Sequence, residues 1–209
     1  MKRLFVLSSL LLILTAAASS ASADQITLTG AGNTVWSGVY AGPYQFTDNG
    51  NPLTMVCVAF DRHVSLGETW QATVNQLTPS GVANSLYGSQ SGALHEYEEA
   101  AWLYKQMMDP VNSAQIGDIH GAIWSIFNPQ ETPQTSGSLA WLSLVEHTDL
   151  SSFDFSGFRI YTPGDTSSSG PQEYLATPEP ASMLLLGTGL AGVAATLRRR
   201  RKAGRSAEA

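Results

Sequence analysis

Cys57 and His120 are the two residues whose types could be coupled chemically. Cys57 is the only cysteine in the chain. It sits in the apolar run Leu53 to Phe60, whose length and valine content predict a short buried strand. His120 lies in Ile119-His120-Gly121-Ala122-Ile123-Trp124, on a predicted helix. An imidazole beside a thiol can lower its pKa and activate it as a nucleophile. Asp118 is two residues from His120, on a different helical face, and is poorly placed to orient the ring. The other role open to the pair is structural: a cysteine acting as a small hydrophobe beside a packed histidine.

Other chemistries have less support. His63, His95, His120 and His147 lack paired ligand spacing, so neither a metal nor another cofactor is expected. Asp48-Asn49-Gly50-Asn51 has part of a calcium-loop pattern but lacks its closing glutamate. Its Asn-Gly pair predicts a hairpin turn instead. Neither a Gly-x-Ser-x-Gly elbow nor a phosphate-binding glycine loop is present. Trp36, Trp70, Trp102, Trp124 and Trp141 could stack on sugars, although three of them lie in helical patterns that suit a core.

The elements that must position these residues fall into two groups. Thr34 to Tyr40, Leu53 to Phe60 and Trp70 to Leu77 read as strands between turn signals. Glu96 to Met108 reads as a helix ended by Asp109-Pro110. A second helix, carrying Ile116, Ile119, Ile123 and Phe127, is expected after Asn112, with Gln115 at its capping-box position. Leu139 to Glu146 reads as a third helix, and Phe153 to Tyr161 as a returning strand. The expected fold class is α+β: an N-terminal antiparallel β part with two to three central helices.

Both chain ends carry export signals. Lys2 and Arg3, the apolar run Leu4 to Thr15 and Ala21-Ser22-Ala23 form a signal peptide with its cut between Ala23 and Asp24. At the other end Pro178-Glu179-Pro180 precedes an uncharged stretch, Ala181 to Leu197, and then Arg198, Arg199, Arg200, Arg201 and Lys202. The stretch is about 25 Å long as a helix, at ~1.5 Å per residue, which is short for a bilayer core of about 30 Å. The basic cluster should stay cytoplasmic.

This ordered set resembles the PEP-CTERM sorting signal of Gram-negative bacteria. The resemblance implies recognition by an exosortase, removal of the tail, and a link to exopolysaccharide and biofilm. The expected organisation is a signal peptide (1–23), an extracellular domain (24–162), a Ser/Gly/Pro-rich linker (163–177), the sorting signal (178–202) with a transmembrane helix (181–197), and a cytoplasmic tail (203–209). The chain would cross the inner membrane, be anchored transiently, and end at the cell surface or outside. Its partners would be signal peptidase, exosortase, the membrane through its tail, and exopolysaccharide.

Between the two signals only Arg62, Lys105 and Arg159 are basic, against 15 carboxylates, a formal charge of about −12. Such a surface repels nucleic acid and anionic lipid. The layout of Cys57, Ala100-Ala101-Trp102-Leu103-Tyr104 and Ala122-Ile123-Trp124 also resembles the thioester domains of bacterial adhesins. There a strand cysteine bonds to a glutamine two residues before Ala-Ile-Trp. Here that position is His120, which cannot supply the acyl carbon, and Gln115 faces elsewhere on the helix. The expected function is therefore a non-enzymatic surface or matrix protein. The alternatives are a degenerate thioester-type adhesin and a Cys57-dependent hydrolase.

Overall fold

A computed structural model of the chain describes residues 23–32 and 34–176. Strands β1 (Ala23–Gly30), β2 (Thr34–Trp36), β3 (Val39–Ala41), β4 (Tyr44–Asp48), β5 (Asn51–Cys57) and β6 (Thr69–Gln76) come first. Helices α1 (Pro79–Val82), α2 (Ala93–Met107), α3 (Ile116–Phe127) and α4 (Ser136–Glu146) follow, with a 3-10 segment at Pro110–Gln115. Strands β7 (Arg159–Pro163) and β8 (Tyr174–Ala176) complete the order. The class is α+β, as expected.

The sheet closes into a six-stranded antiparallel barrel in the order β1-β4-β5-β8-β7-β6, and β2 and β3 form a separate hairpin. Closure removes every free edge of the main sheet. Alternation along the strands sorts side chains into two cores. Met55 and Cys57 of β5, Tyr161 of β7 and Tyr174 of β8 point into the barrel. Val56, Ile160 and Leu175, their neighbours in sequence, point outward against α2 and α3. These strands are buried on both faces, which explains the continuous apolar run around Cys57.

Two expectations are corrected. The segment 163–177 is not simply a linker, because Tyr174, Leu175 and Ala176 pair with β5 on one side and β7 on the other. The β part is not confined to the N-terminal half either: the expected returning strand lies at Arg159–Pro163, and with the unforeseen β8 it closes the barrel. Smaller shifts have local causes. The second central helix begins at Ile116, because Asp109 caps the 3-10 segment by accepting from the Val111 N–H at 3.0 Å. The third begins at Ser136, with Thr135 and Ser138 forming a capping box. The Asp48–Asn51 segment is the β4–β5 hairpin turn, with Asn49 and Gly50 at positive φ (47° and 85°).

The antiparallel order defines two rims. One holds the starts of β1, β5 and β7 and the ends of β4, β6 and β8. Ala23 and Asp24, at the predicted signal-peptide cut, and Ala176, where the tail departs, all lie at this rim. The opposite rim holds the end of β5 and the starts of β4 and β8, together with the β2–β3 hairpin. The remaining signal-peptide residues, Pro178-Glu179-Pro180, the predicted helix 181–197 and the cluster Arg198, Arg199, Arg200, Arg201 and Lys202 lie outside the described residues. Among the described residues no helix is long and apolar enough to cross a membrane.

Candidate functional site

Helix α3 lies against the barrel where β5 ends and β4 begins, which brings His120 to Cys57. The contact is to the wrong atom for catalysis. His120 Nε2 lies 2.9 Å from the Cys57 carbonyl oxygen, not bonded to the thiol. The Gly42 N–H donates to His120 Nδ1 at 2.7 Å. An amide can only donate, so Nδ1 is the acceptor and the ring proton sits on Nε2, donating to Cys57. Both ring nitrogens are committed to backbone. Burial lowers the His120 pKa to about 3, so the imidazole is neutral at physiological pH.

The thiol is equally constrained. Cys57 is fully buried and donates to the Ala59 carbonyl at 3.4 Å. Burial pushes its pKa up to about 12, with contacts from Trp124 and Ala59 opposing the rise. A buried protonated thiol is a poor nucleophile. Asp118 does not approach the ring: it accepts from Trp36 Nε1 at 2.9 Å and from the Thr135 hydroxyl at 2.7 Å. Gln115 accepts from Trp141 Nε1 at 3.0 Å, facing α4.

Small residues let this region close. Trp36, from the β2–β3 hairpin, lies on Gly117 and Gly121 of α3. A Cβ at Gly121 would stand 2.4 Å from its ring, and one at Gly117 2.8 Å. Trp36 meets Trp124 at 5.9 Å between ring centroids. His120 stacks on Trp124 at 3.7 Å, and Phe60 meets its edge at 5.1 Å. The hairpin is thus clamped to α3 by Trp36 and to β5 through Gly42, His120 and Cys57.

Beside this clamp a cleft of about 500 Å³ opens on the rim opposite the two termini. Tyr40, Tyr44, Phe60 and Trp124 give it aromatic lining, joined by His63 and Leu66, which share the β5–β6 loop with Phe60. Sequence reasoning missed it, because its walls come from the hairpin, the β5–β6 loop and α3.

Sequence reasoning also missed Glu173 and Gln172, which fall in the expected linker. Glu173 is fully buried and accepts from the Leu86 N–H at 2.8 Å, the Thr162 hydroxyl at 2.7 Å and the Tyr97 hydroxyl. Burial raises its pKa to about 6 against these bonds and the nearby Arg62 charge. Gln172 donates to the Ala59 and Arg62 carbonyls at 3.0 and 2.7 Å and accepts from the Tyr174 hydroxyl at 2.7 Å. The short run Tyr174-Leu175-Ala176 after Pro171 was the available signal. Among the described residues no group of three or more His, Cys, Asp or Glu is arranged to hold a metal.

The fold and the tail define an exported barrel domain with a C-terminal sorting signal. A family model described as the PEP-CTERM protein-sorting motif matches residues 176–201. The chain therefore carries that motif, which implies processing by an exosortase and export to the envelope or surface of a Gram-negative bacterium. No curated protein and no solved structure matches the chain. The match begins at Ala176, the last residue of β8.

Proposed function

We propose that this chain is a non-enzymatic surface or extracellular-matrix protein, delivered by exosortase sorting and associated with exopolysaccharide. The observation that carries the reading is a sorting motif joined to a barrel whose one thiol is buried and protonated. The neighbouring imidazole is neutral and spent on two backbone bonds. A nucleophilic hydrolase needs the opposite arrangement: an accessible thiolate and a base with a free nitrogen.

The test follows the chain through export. Cells with and without the exosortase are fractionated and blotted for the protein. The expected result is a shorter surface or extracellular species in the first and a full-length, membrane-bound species in the second. A full-length, membrane-bound form in both overturns the sorting. Hydrolysis of an ester or peptide panel that disappears in Cys57→Ala overturns the non-enzymatic assignment.

A further inference from the structure

We infer that the cleft between the β2–β3 hairpin and the β5–β6 loop binds uncharged sugar residues of a glycan. The inference deepens the proposed matrix association and rests on the extracellular placement in it. Among the described residues the lining contains no carboxylate, lysine or arginine, although the domain carries a formal charge of about −12. A charged ligand would find no counter-ion there, and anionic polymers are repelled by the rest of the surface.

The chemistry that remains fits a pyranose, which has an apolar C–H face and a hydroxyl edge. Tyr40 is 59 % exposed and Leu66 65 % exposed, and they flank the opening. Trp124 behind them is packed by His120, Phe60 and Trp36, so this part of the aromatic wall is in place before any ligand arrives. Among the described residues the His63 ring and the Ser65 hydroxyl, both in the lining, make no hydrogen bond within the protein. Both can meet ligand hydroxyls. The volume lies within the range of small-ligand sites, about 300–1,000 Å³.

Position argues against lipid as the occupant. Ala23 and Ala176, the ends of the described domain, lie at the other rim, away from the cleft. From Ala176 to Ala181 the chain spans at most about 18 Å when fully extended. A tail anchored in the bilayer before its removal would keep that rim within this distance of the membrane, with the cleft on the far side.

The test uses the mature protein recovered from the cell surface. It is applied to an array of neutral hexose and N-acetylhexosamine oligosaccharides. Uronic-acid oligosaccharides, palmitate and a synthetic peptide of residues 177–202 serve as competing probes. Binding of neutral oligosaccharides is expected. Tyr40→Ala and Leu66→Ala should each weaken it roughly tenfold, the value of one lost stacking or apolar contact, while Leu144→Ala on α4 leaves it unchanged. Three results overturn the inference: no neutral glycan bound, binding indifferent to both cleft variants, or palmitate or the peptide taken instead. If the protein stays with matrix polysaccharide in cells while the cleft variants do the same, the association stands and this site falls. If it never reaches the surface, the sorting falls, and the array is run on the full chain purified from the membrane fraction, where the same three results overturn the inference.

Discussion

His120 donates through Nε2 to the carbonyl of Cys57 at 2.9 Å, and the two side chains thereby meet without their reactive atoms being joined. The ring bridges β5 to the exit of the hairpin at Gly42, whose φ of 109° suits glycine. The relationship is structural, and its consequences are measurable.

The buried imidazole makes the fold acid-sensitive. Its pKa is about 3 in the folded chain against 6.5 unfolded, so between these values the unfolded state binds the extra proton. Stability from this group is lost as pH falls from 6.5 towards 3, by up to about 5 kcal/mol at ~1.4 kcal/mol per unit. Denaturant melts of wild type and His120→Gln across that window check it. Wild type should lose stability more steeply than the variant.

Glu173 acts in the opposite sense. Its folded pKa is about 6 against 4.5, so the folded state holds the proton more tightly. Its contribution is full below pH 4.5 and disappears as pH rises through 6, a difference of about 2 kcal/mol. Glu173→Gln should raise the urea midpoint at pH 7.5 and steepen the loss of stability below pH 6. A lower midpoint at pH 7.5 would show that the carboxylate's hydrogen bonds outweigh its burial.

Cys57 should remain a free thiol that reagents cannot reach. Gln172 is the glutamine that shares the Ala59 carbonyl with the thiol, but its amide is committed to three hydrogen bonds. Intact mass should lack the loss of about 17 Da that thioester formation requires, and methylamine should add nothing. Maleimide should modify the chain in urea but not in buffer.

The glycine pair beneath Trp36 should resist enlargement. Alanine favours a helix over glycine by about 1 kcal/mol, yet a Cβ at position 121 would press into the indole at 2.4 Å. Gly121→Ala should therefore destabilise by about 1–3 kcal/mol, and Gly117→Ala by less. Thermal melts of both variants, alone and with Trp36→Ala, check the source. Most of the loss should vanish in the double variant.

The closing strand should set the limit of truncation. A chain ending after Ala176 keeps both β8 ladders, and one ending after Gly170 loses β8 and Glu173 together. Circular dichroism should show the first folded and the second unfolded at 25 °C.

Much of this was legible in residue order because the causes are local. The Asn49-Gly50 turn, the helix stop at Asp109-Pro110 and the helical spacing of Ile116, Ile119 and Ile123 all act within a few residues. The meeting of Cys57 with the Ile119-to-Trp124 helix was also anticipated. What the ring does there was not, because Gly42 and the Cys57 carbonyl become its partners only after the hairpin and β5 come together. β8 was hidden for a related reason. Three residues carry too little periodicity to read as a strand, and their partners are more than 100 residues away in β5.

The sequence by itself carries the sorting motif that implies export to the envelope or surface, because such a motif is read along an extended chain, residue after residue. The match at residues 176–201 agrees with that reading. Only the tertiary structure decided what the domain between the signals is like. Burial makes Cys57 a protonated core residue and His120 a neutral bridge. Closure of the barrel turns part of an expected linker into a strand. The antiparallel order then sends both termini to one rim and leaves an uncharged aromatic cleft on the other. These outcomes depend on contacts between residues far apart in the chain, which no local pattern encodes.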